Sequence, residues 1–201
     1  MKSGFIAVIG KANAGKSTLI NVMVGEKVSI VSPKPQTTRN SILGVLTREE
    51  YQLVFVDTPG LYKSANRLTD IMMKTTDDAA KDVDFILYVH DGHAGIGEGD
   101  ISLIKKYSSG KIPMAIAYTK IDIMPKENIA NDAKILYENG VTCDVFPVSA
   151  RKYHNIKKLE AYLAENKNIT WPSLIFHLLR MTSGSLNNVY SVHALGTAFQ
   201  A

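Results

Sequence analysis

The sequence predicts a doubly wound α/β fold with a mainly parallel sheet, and three observations lead to that class. Short apolar runs alternate with segments of helical spacing along most of the chain. The run Val83–Val89 is almost wholly apolar, as expected for a strand that helices cover on both faces. A short polar turn at residues 48–50 joins two strand-like runs and predicts one antiparallel pair at an edge of the sheet.

Each element is assigned from its apolar spacing and from the turn residues that bound it. The predicted strands are Phe5–Ile9, Ser41–Thr47, Tyr51–Val56, Val83–Val89, Ile112–Tyr118 and Cys143–Val148. The predicted helices are Ser17–Val24, Asp100–Tyr107, Glu127–Tyr137 and Ile156–Ala164. Two prolines within the polar stretch Glu26–Asn40 predict a loop there.

Length and patterning indicate one domain with a small appendage, because the chain has 201 residues and no internal repeat. We predict a domain over residues 1–166 and a tail over residues 167–201. The tail breaks the strand–helix alternation, and one helix is possible at Ser173–Met181. The absence of a repeat excludes two tandem nucleotide-binding domains.

Charge and cysteine content restrict the partners and the compartment. The net charge of +4 mildly favours an anionic partner such as RNA or a membrane surface, and nothing in the sequence indicates DNA. Cys143 is the single cysteine, which excludes an internal disulfide and favours a reducing compartment. The first apolar run, Phe5–Ile9, is too short for a signal or membrane segment. We predict a cytoplasmic protein without stable membrane insertion, and peripheral contact with a membrane stays open.

The clearest motif fits the phosphate-binding pattern G-x-x-x-x-G-K-[ST], with a predicted strand before it and a predicted helix after it. Its glycines let successive N–H groups point inward, and the start of the helix adds partial positive charge. We expect Lys16 to reach the outer phosphates and the Ser17 hydroxyl to bind Mg²⁺. A turn that fits by accident is the alternative. The candidate nucleotide-binding residues here are Gly10, Lys11, Ala12, Asn13, Ala14, Gly15, Lys16, Ser17 and Thr18.

A second candidate site follows the apolar strand that ends at Val56, where the sequence reads Asp57-Thr58-Pro59-Gly60. A carboxylate in this place can hold Mg²⁺ through water, and the Gly60 N–H can sense a γ-phosphate. Asp-x-x-Gly is also a common turn. Its position after a strand and downstream of a phosphate loop favours the binding role.

Two further stretches are candidates for reading the base. Asp122, in Thr119-Lys120-Ile121-Asp122, can accept two hydrogen bonds from guanine that adenine cannot supply, and the stem of Lys120 can cover the face of the base. A helix cap is the other interpretation of Asp122. Ser149-Ala150 follows the last predicted strand, where a backbone N–H can meet the guanine O6.

These stretches, in this order, resemble the Era family of translation-factor-class GTPases. The resembling pieces are GFIAVIGKANAGKSTLIN, KVSIVSPKPQTTR, YQLVFVDTPGLY and FPVSA, within residues 1 to about 165. The resemblance implies a Mg²⁺-dependent enzyme that hydrolyses GTP to GDP and acts in assembly of the small ribosomal subunit. It also implies 16S rRNA and the 30S subunit as partners.

The resemblance further implies roles for single residues. Thr38, or its neighbour Thr37, matches the switch threonine that binds Mg²⁺, so the metal ligands would be Ser17, Thr38 and Asp57. The catalytic residues would be Lys16, Thr38 and Gly60. Asn13 matches an asparagine that helps to bind K⁺ in some relatives, and that ion would supply positive charge in the transition state.

Two positions and the C-terminal tail depart from related patterns. Leu61 stands where Ras-like proteins carry the glutamine that positions water, which agrees with Era-like proteins and predicts slow intrinsic turnover. Thr119 replaces the usual asparagine and so lacks an amide that braces the phosphate loop; we expect guanine preference with weaker affinity. The tail is too short for the RNA-binding KH domain of the family and lacks its Gly-x-x-Gly clamp. We therefore expect a truncated, frameshifted or divergent C-terminus.

Two other functions and two other candidate sites are compatible with parts of the sequence. A guanine-nucleotide-binding adaptor that hydrolyses nothing is the main rival, and an ATP-dependent enzyme would need Asp122 to be irrelevant. His90 and His93 lack enough neighbouring ligands for a metal site, so we interpret them as structural. The basic segment 151–158 is either a solvated helix face or a contact for phosphate or RNA.

Overall fold

The computed structural model describes residues 2–25, 42–57 and 83–166, and these residues form one six-stranded sheet with helices on both sides. The strands are β1 (Lys2–Ile9), β2 (Ile42–Thr47), β3 (Tyr51–Asp57), β4 (Phe85–Asp91), β5 (Met114–Thr119) and β6 (Asp144–Pro147). The helices are α1 (Lys16–Val24), α2 (Glu98–Ser108), α3 (Lys126–Glu138) and α4 (Ile156–Glu165). The predicted loop Glu26–Asn40 and the tail from residue 167 lie outside the described residues.

The strand order is β2-β3-β1-β4-β5-β6, and only β2 runs against its neighbour, β3. The prediction of a mainly parallel, doubly wound sheet with one antiparallel edge strand is confirmed. A turn joins β2 to β3, where the Arg48 amide donates to the Tyr51 carbonyl at 2.9 Å.

Pairing with neighbours sets strand ends that apolar spacing did not predict. β4 extends to Asp91, two residues beyond the prediction, because Asp91 pairs with Thr119 of β5. Its start is later as well, since the Asp84 carboxylate instead accepts the Phe5 amide at 2.8 Å. β1 begins earlier, at Lys2, which pairs with Tyr51 of β3.

The two faces of the sheet bury two separate apolar layers, because successive residues of a strand point to opposite sides. On β1, Ile6 and Val8 join the layer under α1 and α4, whereas Ala7 and Ile9 join the layer under α2 and α3. This coverage of both faces explains why β4 and β5 read as continuous apolar runs. Among the described helices, none is long and apolar enough to cross a bilayer.

Candidate nucleotide-binding site

The candidate residues gather at the edge of the sheet where the parallel strands end. The phosphate loop follows β1, Asp57 ends β3, Thr119 ends β5, and Ser149 follows β6. Parallel strands place their carboxyl ends at one edge, which is where open α/β sheets bind their ligands. The register puts Asp57 beside Val8, two residues before the loop begins.

The phosphate loop has the backbone conformation that its glycines predict. Gly10 has φ +157°, and a Cβ at this position would lie 2.2 Å from the Val89 carbonyl oxygen. Gly15 has φ +93° and immediately precedes α1, while Asn13 has φ 61°. These left-handed conformations turn the loop back on itself at the N-terminus of α1, where helix amides and dipole favour an anion.

The Lys16 side chain folds back over this loop. Its ammonium group donates to the carbonyl oxygens of Gly10 at 3.1 Å and Lys11 at 3.0 Å. The residue is 6% exposed, so a positive charge is held at the mouth of the loop with little solvent around it. Phosphate oxygens make stronger, charge-assisted hydrogen bonds to an ammonium group than neutral carbonyls do. Lys16 is therefore placed to bind a phosphate group.

Thr119 braces the phosphate loop with its hydroxyl. The amide of the usual asparagine is absent, but the threonine hydroxyl lies 2.6 Å from the Ala14 carbonyl oxygen. The expected weaker affinity stays a prediction. The same hydroxyl lies 3.0 Å from the His90 carbonyl oxygen, and since it has one proton it donates to one of the two at a time. Thr119 is 3% exposed, so this contact is screened from water.

Lys120 makes a second contact with the loop. Its ammonium group donates to the Asn13 carbonyl oxygen at 2.9 Å and also pairs with the Asp91 carboxylate. The backbone of Lys120 is left-handed, with φ 59°, which directs the side chain back toward the phosphate loop. The aliphatic stem of Lys120 therefore reaches from its own segment, which also carries Asp122, to the phosphate loop. Whether it covers a base stays a prediction.

Asp122 and Ser149 lie together, although 27 residues separate them in sequence. The Ser149 hydroxyl donates to the Asp122 carboxylate at 2.7 Å. This bond lowers the pKa of the Asp122 carboxyl below its ordinary value, with a smaller contribution from the charges of Arg151 and Lys152. Asp122 is exposed whereas Ser149 is buried, so the carboxylate is ionised at neutral pH, fixed at one oxygen and accessible to a ligand.

The structure describes only some of the predicted metal ligands. Ser17 is the second residue of α1, beside Lys16, and the backbone of Asp57 ends β3 at the same edge. Five predicted residues lie outside the described ranges: Thr37, Thr38, Thr58, Pro59 and Gly60. The position of Leu61 is outside them as well. The described residues hold no group of three or more His, Cys, Asp or Glu side chains suited to a metal.

Sequence reasoning missed a buried polar cluster behind the phosphate loop. His90 lies between two carboxylates, with Nδ1 3.5 Å from Asp100 Oδ1 and Nε2 4.0 Å from Asp132 Oδ2. Lys11 of the loop pairs with Asp100, and all of these side chains except Lys11 are at most 5% exposed. Asp100 and Asp132 fall on predicted helices, where acids are common, and their burial, which requires partners, is visible only in the fold.

Comparison with known proteins agrees with this geometry. A family model described as 50S ribosome-binding GTPase matches residues 5–120, more than half of the chain. GTPase Era of Clostridium kluyveri is 45% identical over 159 residues, covering 79% of this chain and 54% of that relative. The chain thus spans about half the length of the curated relatives it matches.

Two solved structures are similar over 81% of this chain and 56% of their own, each with a TM-score of 0.74 and 34% identity. One is Aquifex aeolicus Era bound to GDP and AlF4⁻, and the other is Era in complex with MgGDPNP and nucleotides of 16S ribosomal RNA. The family match extends from β1 to Lys120 and so includes the phosphate loop and the two residues that contact it, Thr119 and Lys120. The chain belongs to the family of 50S ribosome-binding GTPases and is similar to GTPase Era.

Proposed function

We propose that this protein binds GTP with Mg²⁺ and hydrolyses it to GDP and phosphate. The observation that carries the proposal is the juxtaposition of a phosphate loop with a fixed, exposed carboxylate at Asp122. Thr119 and Lys120 join the two, because both contact the loop and both precede Asp122 by three residues or fewer. Phosphate and base sites are thus held at a fixed separation.

Each residue has a role that follows from its chemistry. Lys16 and the loop amides stabilise charge on the phosphates, which is where the transition state of phosphoryl transfer gains most. Ser17, Thr38 and Asp57 would hold Mg²⁺, and Gly60 would sense the γ-phosphate. Asn13 would help to hold a K⁺ ion beside the phosphates.

The base would be read by Asp122. Its exposed carboxylate can accept hydrogen bonds from the two N–H groups on one edge of guanine, which adenine does not supply. Ser149 fixes the orientation of the carboxylate, and the segment Ser149–Ala150 would offer a backbone N–H to guanine O6.

We further propose that this GTP switch acts in assembly of the small ribosomal subunit, with 16S rRNA as a partner. Support comes from the likeness to Era, of which one structure contains a segment of 16S ribosomal RNA. The description of the family refers to the 50S particle instead, so the family alone does not assign the subunit. Binding of the full chain to isolated 30S and 50S subunits, with GTP and with GDP, distinguishes the two.

Base selection is tested by Asp122→Asn. The change removes the negative charge that pairs with guanine, so we expect the affinity for GDP to fall by at least tenfold while weak binding of ADP is unchanged. Binding is measured by titration of the full chain with fluorescent GDP and ADP. A guanine preference that survives the change would contradict the assignment of Asp122. Binding of ADP as tight as that of GDP, in the wild type and the variant alike, would favour an ATP-dependent enzyme.

A non-hydrolysing adaptor is the second candidate, and Leu61 is the observation that favours it, because no glutamine stands at the position that orients water in Ras-like proteins. Turnover of GTP separates the two candidates, since both predict binding. Proteins of this chemistry without an activating partner turn over on the order of 10⁻⁴ to 10⁻² per second, which single-turnover assays can detect.

A further inference from the structure

The side chain of Lys11 extends from the phosphate loop to the start of α2. Lys11 directly follows Gly10, yet its ammonium group lies 2.5 Å from Asp100 Oδ2 at the start of α2. The lysine side chain is 42% exposed and that of Asp100 only 2%. The ammonium group of a partly exposed lysine therefore pairs with a buried carboxylate that lies 89 residues away in sequence.

Asp100 is itself fixed by groups from two elements. The Tyr88 hydroxyl of β4 donates to Oδ1 at 3.0 Å, and the Gly97 amide donates to Oδ2 at 3.1 Å. His90 of β4 lies 3.5 Å from Oδ1. Burial favours the neutral acid, but the interactions with His90, Lys11 and the Gly97 amide hold the pKa of Asp100 below its usual range. The carboxylate is a rigid, charged anchor.

The phosphate loop is thus held by side chains at three places. Thr119 reaches the Ala14 carbonyl, Lys120 reaches the Asn13 carbonyl, and Asp100 holds the Lys11 side chain. The first two belong to the segment that also carries Asp122. The third comes from α2, which contributes none of the motifs identified in the sequence. A loop fixed before its ligand arrives loses less entropy on binding.

We propose that Asp100 is a positioning residue for the phosphate loop, which it holds in its nucleotide-binding conformation through Lys11. The inference rests on the proposed function, because it requires a nucleotide phosphate at this loop. It adds α2 to the elements that determine nucleotide affinity.

Two simpler accounts predict different results. If Asp100 only caps α2 through Gly97, its loss lowers stability and leaves nucleotide release unchanged. If Asp100 acts only as a negative charge near the phosphates, its removal slows release of the anionic nucleotide. Positioning alone predicts faster release when the negative charge is removed.

The test measures dissociation of a fluorescent GDP from the full chain by stopped flow, at a temperature where circular dichroism shows each variant folded. We expect Asp100→Asn and Lys11→Met each to speed release roughly tenfold. The double variant should be no faster than either single one, because both break the same contact. Lys11→Arg, which keeps the donor and the charge, should release GDP more slowly than Lys11→Met.

Glu138→Gln is the matched control, because Glu138 forms an exposed pair with Lys134 on α3 and should leave release unchanged. If Asp100→Asn does not fold, Tyr88→Phe tests the same point without changing a charge, and faster release is again expected. Unchanged or slower release in a folded Asp100→Asn variant overturns the inference while the proposed function stands. Failure of the wild type to bind GDP overturns both.

Discussion

A single hydroxyl, on Thr119, connects the phosphate loop to the end of β5. It lies 2.6 Å from the Ala14 carbonyl oxygen in an interior position. Gly15 lies beside this hydroxyl, since a Cβ at that position would be in van der Waals contact with Thr119 Oγ1, at 3.4 Å. A shorter side chain than asparagine therefore braces the loop because the two backbones lie close together.

Thr119→Val tests this brace, because valine keeps the shape of threonine and removes its donor. We expect the free energy of unfolding to fall by about 1–3 kcal/mol, since a buried carbonyl loses its partner, and GDP affinity to fall with it. Urea unfolding and GDP titration measure the two effects. Thr119→Ser keeps the hydroxyl and should show the smaller loss; equal stability of Thr119→Val and wild type would contradict the assignment.

At the scale of elements, α4 is joined to the β2–β3 hairpin by one buried carboxylate. Glu160 accepts hydrogen bonds at 2.7 Å from both Arg48 Nε and the Tyr51 hydroxyl, and Lys157 lies 3.3 Å away. Its side chain is 3% exposed. Tyr51 begins β3, whereas the candidate nucleotide-binding residues lie at the carboxyl ends of the parallel strands, on the opposite edge of the sheet. This contact therefore stabilises the domain without contributing to the site.

Glu160 also predicts how stability depends on pH. Burial raises the pKa of its carboxyl, but the hydrogen bonds from Tyr51, Arg48 and Lys157 outweigh it, so the pKa lies below the ordinary 4.5. A group whose pKa is lower in the folded state stabilises fully above its unfolded pKa and loses that contribution as pH falls through the folded one.

We expect Glu160→Gln to lower the free energy of unfolding at pH 7 by about 1–3 kcal/mol. The difference from wild type should shrink as pH falls below 4.5. Urea unfolding from pH 7 to acid measures it. Glu49→Gln, in the same hairpin turn but exposed, serves as the control and should change little. A difference that stays constant with pH would show that the charge of Glu160 is not what stabilises the contact.

At the scale of the whole molecule, the sequence predicts the features that depend only on neighbouring residues. Apolar spacing located every described strand, and the glycines of the phosphate loop predicted its left-handed turns, because both are properties of neighbouring residues. The end of β4 at Asp91 was missed because pairing with β5 sets it. The bond between Lys11 and Asp100 was missed because it joins residues that only the folded sheet brings together.

The same limit applied to Thr119. The sequence identified the substitution, but its consequence depends on the distance between β5 and the loop, which no motif records. The roles of Thr38 and Gly60 stay predictions, since they lie outside the described residues.

The central claim, a GTP hydrolase built on this site, is tested most directly by single-turnover hydrolysis with the full chain and Mg²⁺, in KCl and in NaCl, with ATP in parallel. We predict slow release of phosphate from GTP and none from ATP, faster in KCl if Asn13 helps to hold K⁺. Equal rates in the two salts would remove only the role of K⁺. Tight binding of GTP without phosphate release in either salt would contradict the claim and favour the adaptor.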